Sequence, residues 1–439
     1  MFLYHLRLAL LSLRRNPALT ALMVLAIAVG IGASMTTLTV MHLLSGDPLS
    51  GRSAHIYYPQ VDATPADWHN KYPLDMMDYQ SAVDLWSAHR ADRQTLIVNS
   101  QIKVRAPATN LPPLMLNMLS TTADFFPMFD VPFAYGRGWS AQDDANHARV
   151  VVISSDLNDR LFAGQDSVGQ TLRLRDSDVR IVGVLAPWRP SPLFYDVRGG
   201  RYANGDTADF YGKPEDVFTP FNTGLEINDG NFQQFTCWHM PDKPGHLVNA
   251  PCVWIGLWVE LDSAAKAADY RSFIANYAQQ QKALGRFAKT DTRMLDLMGW
   301  LDYNHVLPRD VKLQTWLAFA FLAICLFNTV GLLLAKFLRR AGEIGIRRAL
   351  GAAQYEIFMQ CLVESGLIGL LGGIGGWLLT LAGLWLVRTR PTPYADLAHL
   401  DTSMFLITFA LAILVSLIAG ALPALRASRI APALQLKSL

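Results

Sequence analysis

The hydrophobic positions of this chain fall into two kinds of pattern. Residues 19–44, 313–338, 357–387 and 404–425 are apolar on every face. A bilayer core of about 30 Å takes about 20 helical residues, so each of these stretches is long enough to span. Between the first and second, residues 45–312 read like a water-soluble protein with short segments of changing period. Val150-Val151-Val152-Ile153 is a β-branched run ending at Ser154-Ser155-Asp156, which can cap a helix over Leu157–Phe162. Leu172-Arg173-Leu174-Arg175 and residues 179–185 predict two strands around the turn at Asp176-Ser177-Asp178. Helical spacing of charged and apolar residues over 262–289 predicts a helix leading through 300–310 towards the second apolar stretch. Residues 190–245 are rich in Gly, Pro, Asp, Asn and aromatics with no period, and read as loops or an insertion. The predicted fold class is a membrane protein of four transmembrane α-helices, with a large mixed α/β domain between the first and second.

Composition supports this division. Only 17% of the 439 residues are charged and 51% are hydrophobic, against about a quarter charged in a typical soluble protein. Arg14 and Arg15 precede the first stretch, as in a secretory signal. Signal cores run about 7–15 residues and end at a small-x-small site. This stretch is longer, and LLSGDPLSG is a poor cleavage site, so a retained helix is expected. The net charge of +2 says nothing of partners, and no basic patch interleaved with aromatics points to nucleic acid.

Lys and Arg set the orientation. Arg7, Arg14 and Arg15 lie before the first helix. Lys336, Arg339, Arg340, Arg347 and Arg348 lie between the second and third, and Arg426, Arg429 and Lys437 follow the fourth. Spanning four times puts all three clusters on one face. Residues 1–18, 339–356 and the tail 426–439 are then cytoplasmic, and 45–312 and the loop 388–403 are on the far side. Arg388 and Arg390 in that loop are balanced by Asp396 and Asp401.

Candidate chemistry is sparse. Gly164 to Thr171 has the glycine spacing of a phosphate-binding loop, but Gln170 stands where the lysine is needed, so a turn is expected. Cys325 and Cys361 read as apolar packing residues. Cys237 and Cys252 lie in the far-side domain, where a disulfide persists. Two free thiols, or a zinc site with His239 and His246, are the alternatives. No Ser/His/Asp order or carboxylate pair supports catalysis, so the chain reads as no enzyme, with no cofactor or metal of its own. Gly369/Gly373 and Gly372/Gly376 each have the GxxxG spacing that permits close helix approach, with simple apolar filler as the alternative.

The segment Arg339–Ala352 carries the sharpest pattern. On a helix, Glu343 lies four residues before Arg347, the favourable order for an ion pair. Ile344, Ile346 and Leu350 cannot all face water comfortably, which leaves apolar surface for a partner, and Gly351 can stop the helix. A plain basic anchor obeying the positive-inside rule would need neither feature.

Here the chain resembles the MacB/FtsX-type permeases of ABC transporters. Their Arg-x-x-Glu-Ile-Gly-x-x-Arg-Ala-Leu-Gly-Ala segment is matched from Arg340 to Ala352. Asn328 and Glu364 resemble that family's polar residues late in the second helix and early in the third. Residues 420–432 are similar to its closing motif, and Phe125-Phe126, Tyr135-Gly136-Arg137 and 150–185 to its MacB-like periplasmic core. Residues 190–245 match nothing in that pattern.

The resemblance implies that Arg340, Glu343, Ile344, Gly345, Ile346, Arg347, Arg348, Ala349, Leu350 and Gly351 contact an ATPase subunit that holds ATP and Mg. Residues 1–18 leave no room for the ATPase domain that MacB itself carries there, so a separate chain is expected to supply it. The resemblance also implies an inner-membrane dimer with a second copy or a related permease. By mechanotransmission, such a permease drives efflux through a periplasmic adaptor and an outer-membrane channel. Lipoprotein release from the lipid leaflet and FtsX-like signalling are the alternatives within the same family.

Overall fold

The structure, a computed structural model, describes residues 2–105, 112–198, 208–232, 234–243, 245–307, 309–389, 395 and 402–428. The chain divides into a helical unit, Met1–Gly46 with Leu307–Leu439, and an α/β unit, Asp47–Val306.

In the helical unit, four helices are long and apolar enough to span: Pro17–Ser45, Val311–Arg339 within the helix Arg309–Arg339, Gln354–Arg388, and Phe405–Ser428 within Thr402–Ser428. Each runs a few residues past the apolar stretch that announces it, because polar residues at the ends still continue the backbone ladder. Pro17 opens the first helix, where its missing N–H is harmless. A further helix, Phe2–Arg15, precedes it, with Ser12 and Leu13 buried and Leu10 and Leu11 exposed. Of the expected loop and tail, residues 390–394, 396–401 and 429–439 lie outside the described residues, and with them Arg390, Asp396, Asp401, Arg429 and Lys437.

The third spanning helix is packed through glycine on two sides. A Cβ at Gly372 would stand 2.6 Å from Ile27 Cγ2, and one at Gly376 2.9 Å from Ile31 Cγ2, both on the first helix. A Cβ at Gly373 would stand 2.8 Å from Ala412 Cβ, and one at Gly369 would collide with Ser416, both on the fourth. Each GxxxG pair thus seats a different neighbour. Lipid gives apolar side chains no reason to hide, so close backbone approach supplies the packing.

The α/β unit is built on a ten-stranded sheet. Its strands are β1 (Ile56–Val61), β2 (Arg93–Arg105), β3 (Leu114–Thr121), β4 (Phe133–Gly136), β5 (Val150–Ile153), β6 (Thr171–Leu174), β7 (Ser177–Leu185) and β8 (Val217–Pro220). After a separate two-stranded ladder, β9 (Thr236–Cys237) with β10 (Cys252–Val253), come β11 (Gly256–Glu260) and β12 (Thr292–Asp296). The order is β12-β1-β11-β2-β3-β8-β5-β7-β4, with β6 bridging β2 and β7. β3 with β8 and β5 with β7 run parallel, and the other pairs are antiparallel. Side-chain caps start the helices. Ser154 accepts from Leu157 N–H, Asp78 from Ser81 N–H, and Ser263 from Lys266 N–H at the head of Ala264–Ala283. The segment with phosphate-loop spacing is a turn between the helix Ser155–Phe162 and β6, with φ +74° at Gly164 and +87° at Gly169.

Residues 190–245 depart from the loop or insertion expected of them. They supply β8, which sits mid-sheet between β3 and β5 and is buried along its whole length. A four-residue strand buried on both faces has no alternation to read. They also supply Phe194, Tyr195 and Val197, fully buried in an aromatic core with Phe125, Phe129, Tyr58, Trp258 and Trp300. Trp258 and Trp300 donate their indole N–H groups to the carbonyls of Tyr195 and Val197, at 3.0 and 2.9 Å. This irregular backbone is thereby satisfied from the side rather than by a ladder. Beside it, Arg198 donates to Asp196 at 2.6 Å and to Asn99. Asn99 donates to Asp196 at 2.9 Å and to Glu215 at 2.6 Å, and Tyr195 OH donates to Glu215 at 2.7 Å.

Candidate functional site

The segment singled out by its charge spacing forms a short helix, Ala341–Ala349, between the second and third spanning helices. Glu343 stands in its first turn and Arg347 and Arg348 in its last, the arrangement that opposes the helix dipole. It ends at Gly351, whose φ of +100° a residue with a Cβ rarely adopts. Arg347 donates to Glu343 at 2.8 Å and to Gln360 of the third helix at 3.1 Å. Arg340 approaches Glu343 at 3.4 Å, and Arg15 at 3.6 Å. Partial burial pushes the Glu343 carboxyl up. Its hydrogen bond from Arg340, with the charges of Arg340, Arg347 and Arg15, outweighs that and holds it below the usual value.

Beneath this helix lies a buried ionic cluster. Glu364 of the third helix is 1% exposed. Lys336 Nζ, from the end of the second helix and itself fully buried, lies 2.6 Å from Glu364 Oε1, close for an ion pair but off hydrogen-bond alignment. Arg340 Nη1 lies 3.1 Å from Glu364 Oε2 and donates to Ser12 Oγ at 2.8 Å. The Ser12 hydroxyl donates in turn to Glu364. One carboxylate therefore ties together the N-terminal helix, the second helix, the short helix and the third helix.

The ten candidate residues divide by exposure. Arg340 and Arg347 reach Glu364 and Gln360 of the third helix, and Glu343 bridges the two arginines. Gly345 is buried, and Ile344 packs on the apolar core of the unit. This differs from the largely water-exposed segment that its charge suggests, because Glu364 draws Arg340 inward. Ile346 is 48% and Leu350 83% exposed, with Ala349 beside them and Tyr355, 70% exposed, following. Exposed apolar side chains thus stand beside ionic ones that anchor the same short helix. In the sequence Lys336 reads as a flanking charge, and Ser12 and Gln360 carry no signal of their own. An opposite-charge pair with each member inside an apolar stretch was the available signal for Lys336 and Glu364. Asn328, by contrast, is exposed on the second helix.

The remaining candidates lie elsewhere. Cys237 and Cys252 face each other across β9 and β10, Cα atoms 4.0 Å apart, and are joined in a disulfide. His246 lies 2.5 Å from Asp229, and His239 is exposed. Among the described residues, no group of three or more His, Cys, Asp or Glu side chains is placed to hold a metal.

Residues 20–274 match the family of the MacB-like periplasmic core domain, and residues 316–432 the FtsX-like permease C-terminal family. The macrolide export ATP-binding/permease protein MacB of Pasteurella multocida is 24% identical over 83% of this chain and 51% of its own length. That of Vibrio parahaemolyticus is 21% identical over 98% of this chain and 59% of its own length. An uncharacterized ABC transporter permease of Bacillus subtilis, YvrN, is 22% identical over 70% and 67%. The chain thus spans about half the length of the MacB proteins it matches. The crystal structure of the periplasmic region of MacB from Actinobacillus actinomycetemcomitans aligns over 58% of this chain and 94% of its own, at 13% identity and a TM-score of 0.36. With the core-domain match covering more than half of its residues, and the permease match taking in the second, third and fourth spanning helices, the chain belongs to the MacB/FtsX-type family of ABC transporter permeases.

Proposed function

We propose that this chain is a permease subunit of the inner membrane that converts ATP hydrolysis on a separate ATPase subunit into movement of its α/β domain. The short helix Ala341–Ala349 is the input. One observation carries this reading: Glu364 and Gln360 anchor that helix to the third spanning helix through Arg340 and Arg347, while Ile346 and Leu350 beside them remain exposed. A push on the exposed residues is then transmitted as displacement of the second and third helices, because the buried ion cluster resists being pulled apart. The second helix and the α/β domain are joined directly along the chain. The domain's output is efflux through a periplasmic adaptor and an outer-membrane channel, with a second permease, identical or related, completing a dimer.

The test is reconstitution in nanodiscs with the partner ATPase. E343K and R347E each reverse a half-exposed charge, so the permease still folds. Co-purification of the ATPase should fall by about tenfold or more, equivalent to about 1.4 kcal/mol, and stimulation of its ATPase rate should be lost. Unchanged binding and rate in both variants would leave the segment as a membrane-flanking anchor only.

A further inference from the structure

The far end of β2 alternates strictly. Ile102 and Val104 turn inward and are fully buried, while Gln101, Lys103 and Arg105 turn outward and are exposed. β6 does the same, with Leu172 and Leu174 inside and Arg173 outside. The ladder sets Arg105 directly opposite Arg173. Arg175, just past β6, donates its backbone N–H to Lys103 O at 2.8 Å and so faces that lysine. Four cations thus stand on one face in two like-charged cross-strand pairs, about 5 Å apart across the strands and about 7 Å along them. Like charges directly opposite destabilise a sheet.

Two acids, Asp176 and Asp178, stand against these four cations, and Asp176 shares the lining of the cleft with them. Arg173 lies 3.2 Å from Asp178, and Arg175 reaches the carbonyls of Ile227 and Asp229 at 3.4 Å. Among the described residues, Lys103 and Arg105 have no carboxylate within ion-pair distance. The four cations border a cleft of about 680 Å³, with Met115, 65% exposed, on its β3 side. Asn228 clamps the opposite wall by donating to Gln101 O at 2.9 Å.

We propose that this cleft binds a ligand carrying two or more oxyanion groups, phosphate or carboxylate. Guanidinium forks pair with either group bidentately. Two pairs of cations set two residues apart along the strands suit two such groups on one molecule. Met115 gives an apolar wall to the part between them. Such a ligand removes the cross-strand repulsion, so binding and stabilisation of the α/β unit go together.

The experiment uses the full chain in phosphatidylcholine nanodiscs, which hold no net anionic headgroup, with inorganic tripolyphosphate and citrate as probes. Saturable calorimetric binding is expected, weakening as salt rises. It should be accompanied by a rise in thermal midpoint. R105Q/R173Q should raise the midpoint of the ligand-free protein, because it removes a like-charged pair, and weaken binding of either probe by about tenfold or more. Adding phosphatidylglycerol to the discs separates the sources. Undiminished probe binding identifies a soluble ligand, and competition identifies a lipid phosphate as occupant. Absent binding of both probes, or affinities equal in wild type and R105Q/R173Q, overturns the proposal. So does a double variant less stable than wild type without ligand.

Discussion

In the helical unit, one buried carboxylate, Glu364, faces two cations, Lys336 and Arg340. In the α/β unit, one buried guanidinium, Arg198, sits among two acids, Asp196 and Glu215. The surroundings differ as much as the charges. The helical cluster is walled by helices packed through Gly369, Gly372, Gly373 and Gly376, the other by stacked aromatics such as Tyr58 and Trp300, with ring centroids 4.1 Å apart. In lipid, close backbone approach and one ionic knot hold the helices, because apolar side chains gain little by leaving lipid. In water, burial of large rings dominates. The acid-rich cluster contains two groups that repel each other, and a proton can relieve that repulsion. The cation-rich cluster contains a single acid set between its two cations, so no pair of carboxylates in it can share a proton.

The largest expected effect is at Glu364. E364A leaves Lys336 buried without its counterion, and Arg340 with only Ser12 and Glu343. Removing one partner of a buried pair costs about 3–5 kcal/mol. Urea unfolding of the detergent-solubilised protein should show a loss of that size. Replacing both partners, as in E364L/K336M, should recover most of it, since apolar pairs of similar volume are tolerated there. A double variant as unstable as E364A would show that the ion pair is not what the cluster depends on.

Next in size is the glycine packing. G372A places a methyl 2.6 Å from Ile27 Cγ2, whereas at Gly331, on the second helix, a Cβ meets nothing within 4 Å. Overpacking of this kind costs about 1–3 kcal/mol, so G372A should lower the unfolding midpoint while G331A leaves it unchanged or raises it. G373L, against Ala412, should be worse than G372A. Equal effects at Gly372 and Gly331 would reduce the glycines of the third helix to filler.

These two clusters also mark where the sequence was legible. The spanning helices, the helix after Ser154 and the hairpin around Asp176 follow from local period and capping, which neighbouring residues encode. The glycine spacing was visible, but spacing alone cannot say that Gly372 meets Ile27 while Gly373 meets Ala412. The contact between Lys336 and Glu364 joins residues 28 apart, and Ser12 reaches Glu364 across 352, so neither has a local signature. Residues 190–245 misled for a related reason. The carbonyls of Tyr195 and Val197 are satisfied by the indoles of Trp258 and Trp300 from distant elements, so this stretch needs no period of its own.

The smallest predicted effect separates the two clusters by pH. Burial, and then the charge of Asp196, push the Glu215 carboxyl up to about 7, against the hydrogen bond from Tyr195 and the charge of Arg198. Asp144, at the end of the helix Ala141–Ala145, is also pushed to about 7 by burial. The hydrogen bonds from Ala123 N–H and the Trp139 indole oppose that shift. A carboxyl raised on folding is protonated in the folded protein where the unfolded chain has already lost the proton. Its stabilisation is complete below the ordinary carboxyl value and is lost as pH rises through about 7. Stability of the α/β unit should therefore fall between pH 5 and pH 8. Each kcal/mol lost corresponds to about 2–4 °C in the midpoint of a domain this size. Tryptophan fluorescence reports mainly on this unit, since only Trp316, Trp377 and Trp385 of the 11 tryptophans lie in the helical unit. E215Q and D144N hold the neutral form in place, so the double variant should show a flatter profile and exceed wild type at pH 8. The amide oxygen introduced by E215Q still accepts from Asn99 or Tyr195, so at pH 5 the variant should lie close to wild type. A profile that stays as steep in the double variant would mean that neither buried acid takes up the proton, and the contrast between the two clusters would then rest on packing alone.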